Sequence, residues 1–147
     1  MWATCGGGRR GSSVYVKIRG TMREIISTPN APQSIGPFSQ AVKANGFVFV
    51  SGQVALDAAT QKVIDGDVSA QTERILQNIT AILDAAGTTL QDVVQSRVYL
   101  RDMGDFAAMN AVYGRFFTAD HPARTTIEVS RLPLDVAVEI DVVAVAS

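Results

Sequence analysis

Two stretches of alternating polar and apolar residues lie near the end of the chain. In the first, Ile127 and Val129 alternate with Arg124, Thr126, Glu128 and Ser130. In the second, Val138 and Ile140 alternate with Glu139 and Asp141. Alternation with period two marks a half-buried strand. The break between the stretches, Leu132-Pro133-Leu134-Asp135, is short, so the pattern predicts a hairpin. If Ile127, Val129, Val138 and Ile140 face one core, then Arg124, Thr126, Glu128 and Ser130 share the opposite face with Glu139 and Asp141. A slip of one residue would turn every apolar side chain outward, so this parity is expected to be well specified. Taken alone, a strand face with one cation and several carboxylates is most simply a solvated face with weak ion pairs.

Upstream, Arg23-Glu24-Ile25-Ile26 reads as a short strand, and Pro29, Pro32 and Pro37 break the pattern after it. Residues 39–43 and 47–51 flank Asn45-Gly46, the strongest short hairpin signal, because both turn positions need positive φ. Gly52 closes the second of these strands, and a glycine there allows a close approach by a backbone or ligand. Residues 57–67 read as a loop. Ile75, Leu76, Ile79, Ile82, Leu83 and Ala86 then form one helical stripe, with Asp67 or Ser69 as N-cap and Gly87 as stop. Residues 92–100 read as a strand with Val94, Val98 and Leu100 on one face. Asp102 or Asp105 caps a second helix with the stripe Phe106, Met109, Tyr113, Phe116 and Phe117, most simply core, and His121-Pro122 ends it. The last strand, residues 136–145, is long and apolar, and is expected to be buried deeply or at a subunit contact. The order predicts one α+β domain, a mixed sheet with two helices on one face, in an oligomer.

Composition narrows this little. The chain has 147 residues, 47% of them hydrophobic and 18% charged, with a formal net charge of −1, as in one globular domain. That balance offers no electrostatic case for nucleic acid, and no apolar run is long enough to span a bilayer. Cys5 is the single cysteine and His121 the single histidine, so neither a disulfide framework nor a metal-ligand cluster is expected. Residues 1–21 are glycine-rich, basic and free of acids. They weakly resemble an organellar transit peptide, or are upstream sequence ahead of a domain spanning residues 22–147; the second reading is preferred, with a cytoplasmic location.

The chemistry is limited by the same inventory. No glycine-rich phosphate loop follows a strand, no Cys-His pair exists, and no Ser-His-Asp triad can be built around one turn histidine. Ser51 before Gly52 lacks an elbow pattern and a base. Arginine, carboxylates, hydroxyls and backbone remain. They suit a small anionic substrate held by arginine and a reaction that needs only acid/base help.

Several short stretches, taken together, resemble one family. They are Ala31-Pro32, Ile35-Gly36-Pro37-Phe38-Ser39-Gln40-Ala41, Val50-Ser51-Gly52-Gln53, Phe106 with Met109-Asn110 and Tyr113, Pro122-Ala123-Arg124-Thr125, Glu128-Val129 with Arg131-Leu132-Pro133, and Val138-Glu139-Ile140. In this order the chain from Met22 onward resembles the RidA/YjgF family of reactive-intermediate deaminases. The resemblance implies a chorismate-mutase-like fold, a homotrimer with a cleft at each subunit contact, and no cofactor. It implies hydrolysis of 2-imino acids, such as 2-iminobutanoate and 2-iminopropanoate, to 2-oxo acids and ammonia. Arg124 matches the carboxylate-binding arginine and Glu139 the acid that positions water. Phe38, Ser51, Gly52 and Asn110 match cleft positions, and Thr126 a backbone contact to the ligand. Phe38 stands where the family often has tyrosine, and Thr126 where it often has cysteine. The alternative is a non-catalytic trimeric module that binds 2-oxo acids or acts as a chaperone; a ribonuclease or translation inhibitor fits the charge balance less well.

Overall fold

The computed structural model describes residues 13–18 and 20–146. Among these residues seven strands form one sheet: β1 (Ser13–Ile18), β2 (Thr21–Ile26), β3 (Ala41–Ala44), β4 (Phe47–Gln53), β5 (Val93–Leu100), β6 (Ala123–Glu128) and β7 (Val138–Val145). Their spatial order is β1-β2-β3-β4-β7-β5-β6. Neighbours are antiparallel except β5 and β6, which run parallel. A parallel pair needs a crossover, and α2 (Phe106–Phe116) supplies it. The other long helix, α1 (Val68–Ala85), packs on β4 and β7, and α2 packs on α1.

Local signals set several elements as expected. Asn45 and Gly46 both have positive φ, 52° and 81°, and join β3 to β4. Asp67 caps α1, its side chain accepting from the Ala70 backbone N–H, and Gly87 follows the helix end at φ 78°. Ser69 lies inside the helix and is not the cap. The stripe Ile75, Leu76, Ile79, Ile82 and Leu83 is wholly buried against the sheet. In α2, Met109, Tyr113 and Phe117 are buried and Phe106 and Phe116 partly so. That helix ends at Phe116, before His121-Pro122.

The expected terminal hairpin does not form. β5 lies between β6 and β7, so the two alternating stretches flank a third strand instead of pairing. The linker between them crosses the end of β5, where the Val129 N–H donates to the Leu100 carbonyl at 2.9 Å. The parity inverts with it. Ser96 of β5 stands opposite both Arg124 and Val142, and Tyr99 opposite both Ile127 and Glu139. Arg124 and Thr126 therefore share the helix-covered face with Val98 and Ile140. Glu139 and Asp141 share the other face with Ile127. The reason is that this sheet has two apolar faces. The uncovered one carries Phe47, Phe49, Ile127 and Val145, each between about two-fifths and one-half exposed. Ile127 belongs to that surface and not to the helix-side core.

Two smaller differences have local causes. The register of β5 shifts between Val93 and Gln95, which turns Val93 inward and leaves Val94 exposed, so Val94 does not share the face of Val98 and Leu100. β7 is an interior strand, paired on both sides by β4 and β5. The boundary at Met22 falls inside β2, and β1 pairs antiparallel with that strand from Ser13 opposite Ile26 onward. Cys5 and the glycine run lie outside the described residues. Among the described residues no helix is long and apolar enough to cross a membrane.

Candidate active site

The proline-containing segment after β2 becomes a wall because one buried side chain satisfies it. Prolines offer no N–H, so the carbonyls around them need donors from elsewhere. Gln40 supplies them. Its Nε2 donates to the carbonyls of Thr28, Ala31 and Pro32, and its Oε1 accepts from the Thr28 N–H at 2.7 Å. The wall closes one side of a cleft of about 430 Å³. Phe38, Ser51, Gly52 and Glu139 all line it. Phe38 is half exposed there, an aromatic wall and not a core residue. The Ser51 hydroxyl donates to the Ser39 carbonyl at 2.6 Å, so its proton is committed to the scaffold.

Gly52 and Glu139 are neighbours across β4 and β7. A Cβ at Gly52 would overlap Glu139 Oε1, so only a glycine lets the carboxylate lie against this strand. Burial and then the nearby charge of Asp141 push the Glu139 carboxyl above its ordinary value. Asp141 is itself held by Arg97, whose Nε lies 2.8 Å from Oδ1, and by the Tyr99 hydroxyl, which donates to Oδ2 at 3.1 Å. A carboxylate raised in this way at the wall of a cleft is a stronger base than a free one and suits proton transfer.

The turn at Pro133–Asp135 forms the opposite lip. Leu134 and Asp135 both have left-handed backbone, at φ 58° and 53°. Such residues persist only where their surroundings hold them. Here Arg101 Nη1 donates to the Asp135 carbonyl at 2.6 Å, and Arg131 Nε pairs with the Asp135 carboxylate at 3.1 Å. The exposed side chain of Leu134 lines the cleft. The short Leu-Pro-Leu-Asp break reads as a turn in the sequence, but its place at the cleft has no local signal.

Arg124 and Asn110 are not in this cleft. They line a separate groove of about 330 Å³ with Tyr113, His121 and Pro122. Arg124 lies on the helix-covered face, and Glu139 on the other. Among the described residues no carboxylate pairs with Arg124. Its guanidinium lies over the rings of Tyr113 and Phe106 instead, 4.6 and 5.7 Å from their centroids. Thr126 follows Arg124 on the same face of β6, half-buried, and its hydroxyl finds no partner. The site residues expected from the sequence thus form two half-sites on opposite faces of the sheet, each open. One has a carboxylate and apolar walls, and the other an arginine that no described carboxylate pairs. Among the described residues no group of three or more His, Cys, Asp or Glu side chains is arranged to hold a metal ion.

Comparison with known proteins bears on both halves. The family model described as Endoribonuclease L-PSP matches residues 28–146. A RutC family protein of Pyrococcus horikoshii is 52% identical over 123 residues, covering 84% of this chain and 98% of that protein. The 2-iminobutanoate/2-iminopropanoate deaminase of Salmonella typhimurium is 46% identical over 127 residues, again 84% of this chain and 98% of that protein. The crystal structure of the YjgF gene product from E. coli superposes with a TM-score of 0.80 at 43% identity, over 84% of this chain and 98% of that one. With a match that spans β3 to β7 and both long helices, and relatives near half identical along almost their whole length, the chain belongs to the Endoribonuclease L-PSP family, the RidA/YjgF proteins.

Proposed function

We propose that this protein hydrolyses 2-imino acids to 2-oxo acids and ammonia, with 2-iminobutanoate and 2-iminopropanoate as substrates. The family includes imine deaminases, among them the Salmonella relative. The observation that carries the reading to this chain is the pair of half-sites. One offers an arginine with its carboxylate-binding edge unused. The other offers a carboxylate with a raised pKa, lying where a Cβ on Gly52 would displace it. A 2-imino acid needs both: a cation for its carboxylate, and a base to activate water at its C=N carbon.

The chemistry follows from these groups. Arg124 grips the substrate carboxylate through its planar fork. Glu139 accepts a proton from water as the oxygen attacks the imine carbon. Glu139 returns that proton to the imine nitrogen, giving a carbinolamine; it then takes the carbinolamine hydroxyl proton and passes it to the amine nitrogen, so that the C–N bond breaks, ammonia leaves and the C=O of the 2-oxo acid forms. Positioned acid/base help of this kind supplies about 100- to 10,000-fold. Phe38 and Leu134 shield the reacting carbon, and backbone groups near Gly52 and Thr126 hold the substrate in place.

Since Arg124 and Glu139 face opposite ways in one chain, we infer that a complete site takes Arg124 from one copy and Glu139 from the next. A head-to-tail contact sets two different surfaces of one chain against each other and closes into a ring. The uncovered apolar sheet face, with Phe47, Phe49 and Val145, is the kind of surface another chain covers. A homotrimer is the ring the family resemblance implies.

Coupled generation of 2-iminobutanoate tests the activity. The expected result is faster release of 2-oxobutanoate with the protein than without it. Saturable binding of 2-oxobutanoate with no acceleration would favour a binding module instead. Two variants test the Glu139 side. Gly52→Ala places a methyl against the carboxylate and is expected to lower kcat by up to about 100-fold, since small misplacements of a reacting group cost that much. Asp141→Asn removes a negative charge that helps to raise the Glu139 pKa. The acid limb of the kcat/KM profile should then move to lower pH, because Glu139 ionises more readily. An unmoved limb would take Asp141 out of this account.

A further inference from the structure

Arg124 carries one half of the proposed site, yet among the described residues no opposite charge holds it. What lies beneath it is aromatic. Phe106, Asn110, Tyr113 and Phe117 follow one another at helical spacing, so one side of α2 and the residue after it face the Arg124 groove. The guanidinium carbon is 4.6 Å from the Tyr113 ring centroid and 5.7 Å from that of Phe106. Tyr113 is stacked in turn on Phe117, with centroids 4.5 Å apart and planes 26° from parallel. Tyr113 and Phe117 are 5% and 4% exposed, so this stack is anchored in the core and cannot swing away.

We propose that Tyr113 is a positioning residue: its ring holds the Arg124 guanidinium so that the N–H edges stay free and aimed at the substrate carboxylate. The proposal rests on the carboxylate-binding role given to Arg124. The physical reason is a division of labour between the faces and edges of the guanidinium. Its faces attract an aromatic ring, and its edges carry the five donors. An ion pair within the chain would hold the arginine just as firmly but would occupy those donors. A ring holds it and leaves them unused, and it lowers the freedom the long side chain must surrender when substrate arrives. A lysine cannot take this part, because its ammonium has no flat face or fork.

The phenol oxygen is not what acts. The Tyr113 hydroxyl is buried with no hydrogen-bond partner of good geometry, and the neighbouring Ser96 hydroxyl is equally without one. Burial pushes the phenol up, while Ser96 and the Arg124 charge pull it part of the way back. It therefore stays neutral and offers Arg124 no counter-charge, so the ring alone should suffice.

The experiment uses the full chain and reads kcat, KM for 2-iminobutanoate generated in situ, and the Kd of 2-oxobutanoate by calorimetry. Tyr113→Phe keeps the ring and should keep all three within about twofold. Tyr113→Leu keeps apolar bulk without the ring and should raise KM and Kd about tenfold, with kcat held within about threefold, since the carboxylate is bound alike in ground and transition states. A residue that merely fills the core would instead lower the melting temperature or the active fraction and leave KM and Kd unchanged, and that result overturns the proposal. Phe106→Leu, at a partly exposed ring, covers the case in which Tyr113→Leu does not fold. It should raise KM and Kd about threefold, and unchanged values overturn the proposal. In an Arg124→Lys background, Tyr113→Leu should add no further loss; a second loss of the same size also overturns it. Intact affinity in Arg124→Ala would overturn the site reading itself, and is distinguishable because Arg124 then has no role for Tyr113 to support.

Discussion

Arg124→Ala is expected to abolish measurable binding of 2-oxobutanoate and to raise KM beyond practical substrate concentrations. Removing one member of a hydrogen-bonded charge pair in a desolvated contact costs about 2–5 kcal/mol, much of it from stranding the partner charge. Here the stranded group is the substrate carboxylate, which no other cation in the groove replaces. His121 lines the same groove, but an imidazole lacks the bidentate edge of a guanidinium. Arg124 sits on the outermost strand, β6, with exposed surroundings, so the truncation should leave folding intact. Thermal melting beside calorimetric titration checks both points. A variant that melts normally and still binds and turns over substrate contradicts the role given to Arg124.

The second large effect is expected at Glu139. Glu139→Gln keeps size and hydrogen-bonding capacity and removes the base. Turnover should fall about 100- to 10,000-fold, the span that positioned acid/base groups supply, while the Kd of 2-oxobutanoate stays nearly constant. Stability should respond in the opposite sense. Burial and Asp141 raise the carboxyl's pKa in the folded chain, so the folded state holds this proton more tightly than the unfolded one. The stabilisation this supplies is present at low pH and is lost as pH rises through the raised value. Above that raised value the ionised carboxylate is therefore a cost, and there the glutamine variant should melt no lower than the wild type. Unchanged turnover would leave Glu139 a structural acid.

The elements readable in the sequence are those whose signals are local. Asn45-Gly46 demands positive φ at both positions and takes it. Asp67 and Gly87 bracket α1 because capping is decided within one helical turn. The placement of β6 and β7 is different in kind. Alternation shows which residues of one strand share a face, but the relation between two strands passes through whatever lies between them. β5, more than twenty residues upstream, supplies that link, and nothing in Arg124 to Val143 announces it. The assumption that apolar means helix-side core failed at Ile127 because the second face of this sheet is apolar too. The consequence is functional: Arg124 and Glu139 were expected on one face and stand on opposite ones.

The site is legible in the same uneven way. Phe38, Ser51, Gly52 and Glu139 gather in one cleft, although residues 38–52 and Glu139 are far apart in sequence. Their roles come from resemblance, since neither charge nor spacing marks them. Tyr113 reads as a core aromatic by its helical spacing, and it is one. Its other face meets Arg124, and that contact depends on the crossover from β5 through α2 to β6, which a stripe pattern does not encode. Asp141 was visible as a carboxylate two residues beyond Glu139; its hold on the Glu139 proton needed the structure.

Subunit mixing tests the central claim most directly. Arg124→Ala and Glu139→Gln chains, each inactive alone, would be unfolded together, refolded, and assayed for 2-oxobutanoate release from 2-iminobutanoate. If each site joins Arg124 of one copy to Glu139 of the next, random assembly of a closed ring restores roughly one site in four, and activity returns to about a quarter of the wild-type value. A mixture that stays as inactive as its two components would contradict a site built between copies.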